Sequence, residues 1–314
     1  CSTMPSSMAP ARRASRSWRR SFIPEAYPFE VQTRQVLVVD WPANSRPKRG
    51  ADSIWISDAF GWSANPSTRT EAMQLIQERT REGNWIVAFD FPMGIPFGVS
   101  NFQDWRAFWR TVSSGLRDEH NNQNNRWELA ALLNHQDNAR FWGVPRALPH
   151  LSSKREHEAG DWEWRVGDPR GAQSAWKLLG VGSVGSQMLT GIAHLERWRR
   201  QDPASFSVWP FEPPEARIVV AETWPSHPVF ALAQQSVRDT RPSAVRDEVQ
   251  TQAVASVLQN AAASDALLNL ERIHNDATSD SFGTGLWRLS LEVRAKRLPH
   301  ITTTEGWILL PPDH

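Results

Sequence analysis

"IVAFDFPMGIPFG", residues 86–98, decides how the chain is read. Ile86, Val87, Ala88 and Phe89 are a continuous apolar run, the pattern of a buried strand. Asp90 ends the run, and Phe91-Pro92-Met93-Gly94 turns the chain at once. Burial disfavours a carboxylate's charge, so an acid at this position asks for a compensating partner.

The same arrangement recurs on both sides. "QVLVVDW" (35–41) is a second apolar strand and ends on Asp40. "ARIVVAETWPS" (216–226) is a third, ending on Glu222 and closed by Pro225. Between the first two, "DSIWISDAF" (52–60) alternates Ile54, Ile56 and Ala59 with polar neighbours, as a half-exposed antiparallel strand does. "STRTEAMQLIQERTREGN" (67–84) reads as a helix, with Thr70 as N-cap, Met73 and Ile76 on the apolar stripe, and Gly83 as the stop. "RPSAVRDEVQTQAVASVLQNAAA" (241–263) reads as a closing helix that begins at Pro242-Ser243 and carries Asp247 in its first turn. The skeleton is strand, strand, helix, strand, a long insertion over about residues 95–214, strand, helix.

In an open α/β sheet, ligands sit beyond the carboxyl ends of the parallel strands. Carboxylates gathered there repel one another and call for a cation. Asp40, Asp90 and Asp247 are therefore candidate metal ligands, with Glu222 as a fourth ligand or a water-orienting base.

Composition sets the outer bounds. A chain of 314 residues, 40% hydrophobic and 22% charged, can bury a core, and its net charge of +1 provides no global basic field for a nucleic acid. A near-neutral chain suits a small nucleotide better than a long duplex, whose binders neutralise many phosphates. The single cysteine, Cys1, excludes a disulfide framework and suits a reducing, intracellular setting. No apolar run approaches a membrane span. Residues 1–30 hold Arg12, Arg13, Arg16, Arg19 and Arg20 with several serines and read as a disordered or partner-bound basic arm. The same composition suits an organelle transit segment, which would place the chain in an organelle matrix rather than the cytoplasm.

The order of elements and the placement of the acids resemble the ribonuclease H-like fold of nucleases and resolvases. More closely, the chain resembles an uncharacterised bacterial family of that superfamily. The motifs are Asp40-Trp41, Asp90-Phe91-Pro92-Met93-Gly94, Glu222-Thr223-Trp224-Pro225-Ser226 and Arg246-Asp247-Glu248-Val249-Gln250. Further matching segments are "NNR" (124–126), "FWGVP" (141–145), "SAWKLLGVGSVGSQMLTGI" (174–192), "VWPFE" (208–212) and "EGWIL" (305–309). Some relatives carry a molybdopterin-guanine-dinucleotide synthesis label. The resemblance implies one ribonuclease H-like domain over 31–314, a mixed sheet flanked by helices with a large insertion between its fourth and fifth strands. It also implies metal-binding carboxylates on the first strand, the fourth strand and the last helix.

Gly180-Val181-Gly182-Ser183-Val184-Gly185 satisfies G-x-G-x-x-G, but "SAWKLL" before it does not read as the strand a dinucleotide site requires. Glycines at a helix start still leave N–H groups open to phosphate, so Gly182, Ser183 and Ser186 are candidate phosphate contacts, against a plain packing turn. Asn125 and Arg126 are candidate substrate contacts, against a capping loop. "WRAFWR" (105–110) and "WEWR" (162–165) interleave tryptophan and arginine as base-stacking surfaces do, yet read better as helix core backed by solvated arginines.

The expectation is Mg²⁺- or Mn²⁺-dependent phosphoryl chemistry on a nucleic-acid phosphodiester or a nucleotide. The rival is a non-catalytic nucleotide-binding or assembly protein that keeps the fold and its acids, with the basic arm as a protein-binding element. A kinase-like use of the fold lacks a recognisable phosphate loop.

Overall fold

The apolar runs found in the sequence are the central strands of a six-stranded mixed sheet. The computed structural model describes residues 34–151, 160–263, 267–278 and 288–312. The basic arm expected over 1–30 lies outside the described residues. The strands are β1 (Gln35–Asp40), β2 (Trp55–Asp58), β3 (Ser63–Ala64), β4 (Trp85–Phe89), β5 (Phe206–Val208) and β6 (Ile218–Glu222). Their order is β3-β2-β1-β4-β6-β5. β2 runs antiparallel to β1 and β3, while β1, β4, β6 and β5 are mutually parallel.

The helices are α1 (Arg69–Arg79), α2 (Trp105–Gly115), α3 (Arg126–Gln136), α4 (Gly185–Gln201), α5 (Ala231–Thr240), α6 (Arg246–Ala262), α7 (Leu270–Thr278) and α8 (Leu291–Arg297). Side chains alternate across each strand and so feed two separate cores. Leu37, Val39, Val87, Phe89 and Val220 pack with apolar residues of α1 to α4. Val36, Val38, Ile86, Ala88, Val219 and Ala221 pack with α6, α7 and the segment around Trp307 and Leu309. The result is a sheet between two helical layers. Among the described residues, no helix is long and apolar enough to cross a membrane.

Local chemistry accounts for the element ends, with corrections at three places. Thr68, not Thr70, caps α1: its hydroxyl accepts the Glu71 N–H, and the Glu71 carboxylate reaches back to the Ser67 N–H and hydroxyl. This reciprocal pairing satisfies the open donors two residues earlier than Thr70 could, leaving Thr70 inside the helix. The closing helix also starts later than its proline, at Arg246, and keeps Asp247 in its first turn. The stretch 95–214 differs from an insertion lying wholly outside the sheet, because its Phe206–Val208 segment is the edge strand β5. Three residues are too few to read as a strand by periodicity.

The tryptophans serve mainly as core. Trp41, Trp85, Trp105, Trp109, Trp176 and Trp209 are fully buried. Indole N–H groups find carbonyls, as Trp109 does at Met93 and Trp85 at Glu82. In α2, Trp105 and Trp109 face inward while Arg106 and Arg110 are exposed, which is the core reading of that segment.

Two features place the upper layers. α6 is pinned along the sheet by a hydrogen bond between the Thr251 and Ser57 hydroxyls and by Gln259, whose side-chain oxygen accepts the Val36 N–H. α4 comes unusually close to the turn after β4: a Cβ on Gly191 would stand 2.2 Å from Cζ of Phe91. Only glycine lets the helix lie there.

Candidate functional site

Parallel register sets the first pair of acids level. Val39 stands opposite Phe89, so Asp40 and Asp90 leave neighbouring strands at the same height. Their carboxyls meet side chain to side chain, and both are raised above the ordinary carboxylate range. Burial, then the charges of Asp90 and Asp247, push the Asp40 carboxyl well above the usual range. Burial raises Asp90 to about 6, against the hydrogen bonds it accepts. Those come from the Trp41 N–H at 2.7 Å and the Gln187 amide at 3.1 Å. Gln187 lies in the first turn of α4, directly after the glycine-rich turn.

Asp247 approaches from α6. Its carboxylate accepts the Asp52 N–H at 2.6 Å, and burial raises its pKa. It is near enough to raise Asp40, yet among the described residues no three His, Cys, Asp or Glu side chains form a ready metal-ligating group.

Glu222 takes a different direction. It pairs in register with Phe89, not Asp90, so strand alternation turns its side chain toward the opposite face from Asp40. There Arg165 binds it through both guanidinium Nη atoms, each at 2.6 Å. Arg165 also donates to Asp168 at 2.7 and 3.1 Å, and the Met93 N–H donates to Glu222. Arg165 is 2% exposed. Its two carboxylate partners raise its pKa even though burial opposes that. Burial raises Glu222 despite this pairing. Behind them sits Glu305, which accepts the Val166 and Phe97 N–H groups and is raised by burial to about 7.

A cavity of about 290 Å³ opens over these groups. Asp40 and Asp90 line one side, and Arg165, Asp168 and Glu222 another. Gly182, Val184 and Gln187 bring the glycine-rich turn and the start of α4 to it, and Trp224, Ser226 and Gln250 also line it. The glycine-rich turn, whose Gly182 was a candidate phosphate contact, therefore lies beside the acids.

The remaining sequence candidates sit elsewhere. Ser183 is outside the lining, and its N–H closes the turn on the Gly180 carbonyl. The Ser186 hydroxyl donates to the Leu178 carbonyl and accepts from Arg126 Nε. Arg126 lies over Trp127 and also donates to Ser45 and Asn124, and burial lowers it to about 10. Asn125 ties the Arg117 N–H to the Gly115 carbonyl, a capping-loop role. Arg165, Asp168 and Gln187 are cavity residues the sequence reading did not single out, and Gln250 was named there only as part of the closing-helix motif. Arg165 stood inside "WEWR" but looked like a solvated face.

No family model, curated protein or solved structure matches the chain.

Proposed function

We propose that this chain is a divalent-metal-dependent hydrolase of phosphoester bonds, built on a ribonuclease H-like sheet and acting on a nucleotide or nucleic acid. One observation carries the reading: Asp40 and Asp90 stand level on adjacent parallel strands and face a cavity, with Asp247 near enough to act on Asp40. The strand order supports it as well, since the first strand lies beside the fourth and the Glu222 strand beside that, as the superfamily's sheet requires.

The donor chemistry fits Mg²⁺ or Mn²⁺, which prefer carboxylate oxygen. Asp40 and Asp90, in their ionised forms, would hold the cation with Asp247. Bound there, the ion would polarise a phosphoryl oxygen and lower the pKa of a coordinated water. The protein's own part is positional. Gln187 and the Trp41 N–H fix the Asp90 carboxylate, and the cavity walls limit water around the reacting bond. Glu222 is bound by Arg165, so its role is to hold the wall rather than to take a proton.

A second reading, a non-catalytic nucleotide-binding or assembly protein that retains the acids, draws on Asp247, whose carboxylate is engaged by the Asp52 N–H. Melting curves with Mg²⁺ and Mn²⁺ on wild type and Asp90→Asn, with phosphodiester and nucleotide hydrolysis on the same samples, separate the two. The enzyme reading expects a cation-dependent rise in Tm and turnover, both lost in Asp90→Asn while the fold is as stable or up to about 2 kcal/mol more stable. A wild-type Tm indifferent to both cations, with a strongly destabilised Asp90→Asn, would sink the metal site.

A further inference from the structure

The cavity holds more than acids. Trp224 lies two residues beyond Glu222, in the loop that follows β6, and its ring is held at fixed points. A Cβ on Gly171, whose φ is +101°, would stand 3.0 Å from the far edge of the indole, so the 171 backbone abuts that edge. His227 packs edge-on against the same ring, with centroids 5.3 Å apart. Trp224 also lines the cavity, and its indole N–H has no hydrogen bond among the described residues. A rigid aromatic surface beside paired carboxylates suits a flat ligand, because stacking needs no rearrangement on binding.

Two amides complete the wall. Gln250 donates to the Ser226 hydroxyl at 3.3 Å, which leaves its carbonyl oxygen as an acceptor in the cavity lining. Gln173 accepts from Lys177 Nζ at 2.9 Å, which leaves its NH₂ as a donor. One acceptor and one donor match the mixed hydrogen-bonding edge of a nucleobase. The volume is at the lower end for a small-molecule site, and far from the surface a duplex needs. The direct contact of Asp40 with Asp90 is too close for the spaced carboxylate pair of a glycosidase, so a stacked sugar fits this chemistry less well.

We infer that the cavity binds one nucleotide unit, with its base stacked on Trp224 and its edge read by Gln250 and Gln173. The phosphate then lies toward Asp40 and Asp90, so this placement rests on the proposed metal site. A free mononucleotide or the terminal unit of a single strand satisfies it; an internal unit of a duplex does not.

The test measures binding of AMP, GMP, CMP and UMP to the full chain with Mg²⁺, against ribose 5-phosphate and a short DNA duplex. Wild type should bind at least one mononucleotide roughly tenfold to a hundredfold more tightly than ribose 5-phosphate. Trp224→Leu should erase that preference and keep the Mg²⁺ shift in Tm. Trp224→Phe should restore most of it, and Gln250→Leu should change which base is preferred. Equal binding of AMP and ribose 5-phosphate, or duplex binding that exceeds every mononucleotide and survives Trp224→Leu, overturns the inference. A Mg²⁺ shift in Tm with no mononucleotide binding defeats the base subsite alone. Base-dependent binding indifferent to Mg²⁺ defeats the metal reading and leaves the subsite standing.

Discussion

Two groups of acids face one cavity, and they are balanced in opposite ways. Asp168 and Glu222 share Arg165, whose guanidinium meets both carboxylates at 2.6–2.7 Å. Asp40 and Asp90 have no cation among the described residues within ion-pair range, and burial raises both. The difference teaches which group is wall and which is site. An arginine supplied by the fold completes the first group permanently. The second is left with charge that only a ligand can neutralise.

The largest expected effect comes from breaking the balanced group. Arg165→Met strands two buried carboxylates and should cost about 3–5 kcal/mol, lowering Tm by roughly 10 °C. Adding Asp168→Asn and Glu222→Gln should recover much of that loss, because the uncompensated charge is gone. A triple variant no better than the single one in thermal denaturation would contradict the wall assignment.

Acidity sharpens the comparison at intermediate size. Asp90 is raised from the ordinary carboxylate range to about 6, so between about pH 4 and 6 the native protein holds a proton that the unfolded chain has released. Stability should fall as pH rises through that window, and Asp90→Asn should flatten the slope. Mg²⁺ must displace the Asp90 proton, so its stabilising effect should grow over the same range. Denaturant titrations across pH, with and without Mg²⁺, read both trends.

The smallest effect isolates Asp247. Asn in its place still accepts the Asp52 N–H, so Asp247→Asn should change stability by no more than about 0.5 kcal/mol. Mg²⁺ binding should nevertheless weaken about tenfold, since one hard charge is lost. Calorimetry showing unchanged Mg²⁺ affinity would remove Asp247 from the site.

Much of this was legible from residues alone. Continuous apolar runs ending on Asp40, Asp90 and Glu222 announced three adjacent buried strands, because a strand covered on both faces leaves little choice of residue. The direction of Glu222 was not legible. It depends on whether Glu222 pairs with Phe89 or Asp90, and one step of register reverses the face. Arg165 was hidden for a related reason: its partner Glu222 lies 57 residues away, and no local spacing records such a contact. The cap of α1 was misplaced by two residues because Thr68 and Thr70 are equal in kind, and only the Glu71 side chain decides between them. The edge strand β5 was too short to stand out from its surroundings.

Gly191 carries a consequence for the width of the site. The helix that presents Gln187 to Asp90 rests directly on the Phe91 ring, with no side chain between them. A single added methyl there would act as a spacer between α4 and Phe91, shifting the glycine-rich edge that lines the cavity. The aperture of the cleft is thus set one turn down the helix, by an atom the residue does not have. A redesign meant to admit a bulkier ligand would begin with Gly191, leaving every cavity-lining side chain unchanged.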